Sequence, residues 1–223
     1  MAIDRVNALL PLFQRYKNRK HPLDFKNHYQ LVVMVVLSAQ TTDENVNQVA
    51  PALFDRYPSM EELGQAKPEE LFLYIRKIRN FANKAKWLTA IAAAVKTEAG
   101  IPTTMDALTE LPGIGRKSAN VIIRGSGGRA EGIIVDLHVL RVAPRIGVTT
   151  ETTPEKVEQQ LMKLIPRQQW GEAGMALSFL GRDLCRPTEP ACGECPMVSV
   201  CKYYKTVVAK KKPGKTRTKE NKS

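Results

Sequence analysis

All four cysteines of this 223-residue chain fall between residues 185 and 201, spaced Cys185-x6-Cys192-x2-Cys195-x5-Cys201, and the rest of the chain holds none. Thiols that close in sequence can wrap one centre, so the segment is constrained to fold around whatever they share. Three chemistries compete. No secretory leader is expected, and two bridges in so short a loop would stabilise little beyond it, which argues against disulfides. Structural zinc usually takes two Cys-x2-Cys-like knuckles, and here Cys192 and Cys195 form the single knuckle. A cubane iron–sulfur cluster tolerates uneven wrapping, and Pro196 follows a ligand as prolines do in ferredoxin loops. The thiols alone favour the cluster and leave zinc open.

With 43% apolar residues the chain can build real cores, as one large domain or two small ones. Its longest apolar run, Leu31 to Leu37, falls well short of the ~20 residues of a membrane span. A soluble intracellular protein, with no membrane partner, is expected. The formal net charge is +12, but residues 202 to 223 hold nine Lys or Arg and one acid, a net +8, leaving about +4 on the body. The tail, with Lys210-Lys211-Lys212-Pro213-Gly214, reads as disordered. It serves either as a solubilising end or as a DNA-binding arm.

The punctuation is helical. Thr41-x-x-Glu44 and Ser59-x-x-Glu62 have the form of capping boxes, Pro68 and Pro154 stand where a first helical residue would, and Gly100 follows a periodic stretch from about Asn83 to Ala99. Leu71, Leu73, Tyr74, Ile75 and Ile78 recur mainly at helical rather than alternating spacing. Leu31 to Leu37, rich in β-branched residues, could form a buried strand, but no comparable run offers it a partner, so a core helix is expected. The fold class is all-α.

Residues 108 to 119 read Leu-Thr-Glu-Leu-Pro-Gly-Ile-Gly-Arg-Lys-Ser-Ala. A helix ending near Leu111 is followed at once by Pro112-Gly113-Ile114-Gly115 and a second helix. Two glycines around one aliphatic residue let the chain turn tightly with Ile114 inward, so the new helix presents its first backbone N–H groups outward, where they bind phosphate. This is the helix-hairpin-helix pattern, which grips a nucleic-acid backbone without reading its sequence.

In that turn Arg116 and Lys117 are either phosphate contacts or, for Lys117, something more. A nucleophilic lysine must be partly neutral, and the positive end of a helix with Arg116 beside it works in that direction. The partner would be Asp136 in Ile133-Ile-Val-Asp-Leu-His-Val139, an acid that follows three apolar residues and is costly to bury unless it caps a helix or works in a site. His138 is expected to make a local hydrogen bond.

Together these motifs resemble the endonuclease III family of DNA glycosylases in the helix-hairpin-helix superfamily. The resemblance covers roughly residues 20 to 205 and rests on Leu37-Ser-Ala-Gln-Thr-Thr-Asp43, Leu111-Pro-Gly-Ile-Gly-Arg-Lys-Ser-Ala-Asn120, Val135-Asp-Leu-His-Val139 and the 6-2-5 cysteine spacing. It implies a two-lobed all-α fold with a C-terminal cluster loop: a helical bundle over residues 22–130 bearing the hairpin, a second lobe of residues 1–21 plus 131–205, and a tail from 206 to 223. It implies a 4Fe-4S cluster on Cys185, Cys192, Cys195 and Cys201, and a monomer acting on damaged double-stranded DNA.

It also implies roles. Lys117 would attack the sugar C1′ of a flipped, oxidised pyrimidine nucleotide with help from Asp136, and the resulting Schiff base would cut the strand by β-elimination. DNA contacts would come from Leu111, Pro112, Gly113, Ile114, Gly115, Arg116 and His138, with Gln40 entering the gap left by the flipped nucleotide. The loop Ile78 to Lys84 aligns with the family's wedge, so Asn80 and Phe81 are further DNA contacts. Two residues depart from the family pattern: Leu137 stands in place of a threonine, and Asn80 in place of a leucine.

Two rivals share features of this reading. An adenine-mismatch glycosylase shares the fold and cluster but lacks the hairpin lysine and carries a further domain. In a non-catalytic DNA-binding or electron-transfer protein the cluster would be the working part, and a redox cluster requires neither the hairpin nor Asp136.

Overall fold

The computed structural model describes residues 6–210. In chain order its helices are α1 (Leu10–Tyr16), α2 (His28–Ser38), α3 (Asp43–Arg56), α4 (Met60–Gln65), α5 (Pro68–Ile75), α6 (Phe81–Val95), α7 (Met105–Thr109), α8 (Arg116–Gly125), α9 (Leu137–Ile146), α10 (Pro154–Leu164) and α11 (Trp170–Asp183). Short 3₁₀ turns cover Glu98–Gly100, Arg167–Gln169 and Cys192–Glu194, and a π-helical turn covers Tyr204–Val208. The described residues contain no strand, so the all-α expectation holds, and none of their helices is long and apolar enough to cross a membrane.

The chain divides into two compact units. One comprises Asn18–Ile134 with Arg167–Gly171, the other the described parts of Met1–Lys17, Val135–Pro166 and Glu172–Ser223. In the first of these, Leu31 to Leu37 form the centre of α2 and are all buried, with α3, α6 and α8 packed around them. A helix wrapped on every side needs no polar face, which is why this run carries no amphipathic pattern and reads equally well as a strand. In the other unit, Leu12 and Phe13 of α1, Val139 and Val142 of α9, Val157 and Leu161 of α10 and Leu177 of α11 are buried, and the Tyr16 and Phe179 rings meet at 5.8 Å between centroids.

Most expected helix starts are where the sequence puts them. Ser59 accepts from the Glu62 N–H at 3.2 Å, and Pro68 and Pro154 are first helical residues, where a missing N–H costs nothing. Three expectations need correcting. The cap of α3 is Thr42, which accepts from Asn45 N–H at 3.3 Å, because the Thr41 hydroxyl is engaged by Lys84. The helix expected to reach Ala99 stops at Val95, with Lys96 at φ +67°. This frees Glu98 to accept from the His28 N–H at 2.9 Å, in the first turn of α2. Finally, residues 206–208, expected to be disordered, belong to the π-helical turn, while the basic stretch from Lys211 onward lies outside the described residues.

Candidate functional site

The hairpin is built by α7, a four-residue turn and α8. Glu110 caps α7, Leu111 N–H donates to the Leu108 carbonyl at 3.2 Å, and Ile114 N–H donates to the Leu111 carbonyl at 3.2 Å. Ile114 is buried at 3% exposure and anchors the turn in the core, as the sequence requires. Gly113 has φ +77°, and a Cβ there would stand 2.5 Å from the Trp87 ring, so two separate constraints demand glycine. Gly115 caps α8 with extended backbone, and Gly113, Gly115, Arg116 and Lys117 are all exposed. The first N–H groups of a helix have no partner within it, so this exposed turn presents donors together with two cations. Leu111 and Pro112 are half-buried beside it.

Two further loops of the same unit carry Gln40 and Asn80. Both side chains are exposed and both backbones are left-handed, at φ +57° and +60°. Few side chains tolerate that conformation, and asparagine is among those that do. The residue joining the loops is Lys84, to which the sequence assigned no role. It lies on the first turn of α6, with its N–H on the Asn80 carbonyl at 3.1 Å. Its ammonium donates to the carbonyls of Leu37 (2.8 Å) and Ala39 and to the Thr41 hydroxyl at 3.3 Å. The side chain is 1% exposed, all three of these acceptors are uncharged, and burial pulls its pKa down to about 8. Phe81 is half-buried, with its ring edge-on to Phe72 at 5.0 Å.

Asp136 belongs to the other unit and caps α9. One carboxylate oxygen, Oδ1, accepts from His138 N–H at 2.9 Å and Val139 N–H at 2.8 Å. The other, Oδ2, accepts from the Ser178 hydroxyl at 2.6 Å. Ser178 lies on α11 and is buried at 2% exposure; Arg182 Nε in turn donates to its oxygen at 3.4 Å. Leu137 is 79% exposed. The His138 Nδ1 atom lies 3.1 Å from an Arg141 Nη2 atom.

The cysteine segment follows α11. Arg141 Nε donates to the Cys185 carbonyl at 3.0 Å, and Arg145 donates to the carbonyls of Arg186 (2.7 Å) and Pro187 (3.1 Å) and lies 3.6 Å from the Cys185 sulfur. The Cys201 thiol donates to the Arg145 carbonyl at 3.3 Å. All four thiols are free. Burial pushes Cys195 up, and Cys201, Cys185 and Cys192 push it further, against a Met197 backbone hydrogen bond; burial also raises Cys192, as do Cys185 and Cys201. Cys192 and Cys195 thus feel the charge of neighbouring thiols, a donor set that a positive centre would stabilise. Among the described residues no group of three or more His, Cys, Asp or Glu stands at the spacing of a single bound metal ion.

Residues 33–167 match the model of the HhH-GPD superfamily of base excision DNA repair proteins. Endonuclease III from Synechocystis sp. is 38% identical over 195 residues, 86% of this chain and 89% of the relative. A trapped covalent intermediate of endonuclease III with DNA superimposes with a TM-score of 0.83 at 33% identity, covering 92% of this chain and 97% of that one. A non-covalent endonuclease III–DNA complex gives 0.84 at 33% identity, covering 94% and 99%. The chain belongs to the endonuclease III family.

Proposed function

We propose that this chain is a bifunctional DNA glycosylase and AP lyase of base excision repair, acting as a monomer on oxidised pyrimidines in duplex DNA. The observation that carries the reading is an exposed Lys117 in the first turn of α8, directly after a hairpin whose N–H groups can hold a phosphate. A base cannot be reached inside the stack, so the damaged nucleotide is turned out of the duplex, with Gln40 and Asn80 as the residues that fill or force the gap. The Lys117 amine attacks the sugar C1′, the bond from C1′ to the base breaks, and the base departs with the bonding electrons. Asp136 takes the amine proton and offsets positive charge developing on the sugar. The sugar ring then opens as the C1′–O4′ bond breaks and O4′ takes up a proton, and the imine so formed at C1′ acidifies the C2′ hydrogen. Loss of that proton breaks the C3′–O bond, and water then releases the lysine.

Cys185, Cys192, Cys195 and Cys201 would hold a 4Fe-4S cluster. When bound, such a cluster cross-links a loop that has little apolar core of its own.

The test is borohydride trapping on duplexes each carrying one defined lesion. The wild type is expected to form a covalent protein–DNA adduct, and Lys117→Gln to bind the same duplexes and trap nothing. Undiminished trapping by that variant would overturn the assignment.

A further inference from the structure

The Asp136 carboxylate has two oxygens with different neighbours. Oδ1 is held by the backbone that it caps, through two N–H donors. That leaves Oδ2, whose direction fixes the plane of the group, and at Oδ2 stands the Ser178 hydroxyl at 2.6 Å. A hydrogen bond to a carboxylate at that length is of the charge-assisted kind, stronger than one between neutral groups.

Ser178 reaches Asp136 because α11 runs unusually close to the start of α9. Gly181, one turn beyond Ser178, is the point of approach: a Cβ there would stand 2.7 Å from the His138 Cβ. Ser178 itself is 2% exposed, so its hydroxyl is not placed for solvent, and Arg182 Nε donates to its oxygen, leaving the hydroxyl proton directed at Asp136. The residue next to Asp136 in sequence contributes nothing of this kind, since Leu137 has no hydroxyl and is 79% exposed.

We infer that Ser178 is a positioning residue for the reaction, a buried hydroxyl that orients the Asp136 carboxylate from a neighbouring helix. The inference rests on the reading of Asp136 as the working carboxylate. Ser178 touches no reacting atom and acts through Asp136 alone, so its removal affects the chemical step and leaves DNA binding intact.

The experiment is single-turnover excision at saturating enzyme, with DNA affinity and thermal midpoint measured on the same preparations. Ser178→Ala is expected to slow excision about tenfold, the scale of one hydrogen bond to a charged group, with affinity within twofold and a folded protein. Ser178→Thr, which keeps the hydroxyl, is expected to recover most of the rate. In an Asp136→Asn background, Ser178→Ala is expected to cause no further loss, because the group that it positions is already disabled. A wild-type rate in Ser178→Ala, or losses that simply multiply in the double variant, would overturn the inference. A wild type that excises no lesion would instead overturn the underlying reading, whatever Ser178 does.

Discussion

The Lys84 ammonium donates to the Leu37 carbonyl 2.8 Å away, a contact between residues 47 positions apart that ties the first turn of α6 to the last turn of α2. The charge sits in a buried pocket of neutral acceptors, and its pKa is drawn from 10.5 to about 8. Because the folded value is the lower one, the unfolded chain binds more protons between pH 8 and 10.5, so stability from this group rises with pH across that window. Below pH 8 the cost of the buried charge is present in full. Urea unfolding of wild type and Lys84→Met at several pH values should show the difference moving in favour of the wild type between pH 8 and 10.5, by on the order of 3 kcal/mol. A flat difference would mean that the charge is solvated.

Asp136 combines a cap with the proposed chemistry, and two substitutions separate them. Asn keeps an oxygen for the His138 and Val139 N–H groups, so Asp136→Asn should fold normally and lose at least about a hundredfold in excision rate. Asp136→Ala should lose the cap as well and fall by about 1 kcal/mol in stability. Thermal unfolding and single-turnover kinetics together would tell the two contributions apart.

At Gly113 a side chain meets both a left-handed backbone and the Trp87 ring. Gly113→Ala should destabilise the unit containing Asn18–Ile134 by about 1 to 2 kcal/mol from the backbone term alone. It should weaken binding to damaged and undamaged duplex alike, since phosphate contacts carry no sequence or lesion preference. Fluorescence anisotropy on both duplexes is the measurement, and a loss confined to the damaged one would contradict the phosphate role.

Asn80→Leu should raise activity on well-paired lesions more than on mismatched ones, because an apolar tip gains more from entering a base stack and mismatched sites cost less to open. The same change should cost about 1 kcal/mol in stability, as φ +60° suits asparagine better than leucine. With the Phe81 ring edge-on to Phe72, Asn80 is left as the tip to test. Equal gains on both substrates would remove the wedge role.

Protein purified with its metal should be brown, with about four irons per chain and little zinc. Cys195→Ser should mainly lower folded yield. Stoichiometric zinc in aerobic and anaerobic preparations alike would contradict the cluster.

Much of this was legible in one dimension because it is local. The hairpin turn needs its glycines within three positions of each other, and the Asp136 cap uses donors two and three residues ahead. What escaped sequence reasoning depends on contacts across the fold. By pattern Thr41, with Glu44 three residues on, is the better cap of α3, yet its hydroxyl is engaged by Lys84, more than 40 positions away, and Thr42 caps instead. The end of α6 is likewise governed by Glu98 reaching back to His28. Ser178 lies 42 positions beyond Asp136 in an apolar stretch of α11, with no local motif to single it out.

Helix α9 spans ten residues, about 15 Å. Asp136 sits at its head, while Arg141 and Arg145 farther along it grip the backbone of the cysteine segment. The helix is thus a short rod that joins the Asp136 carboxylate to the cysteine segment. Damage to the thiols would then be felt first as lost folded yield and, in the protein that still folds, as slower excision.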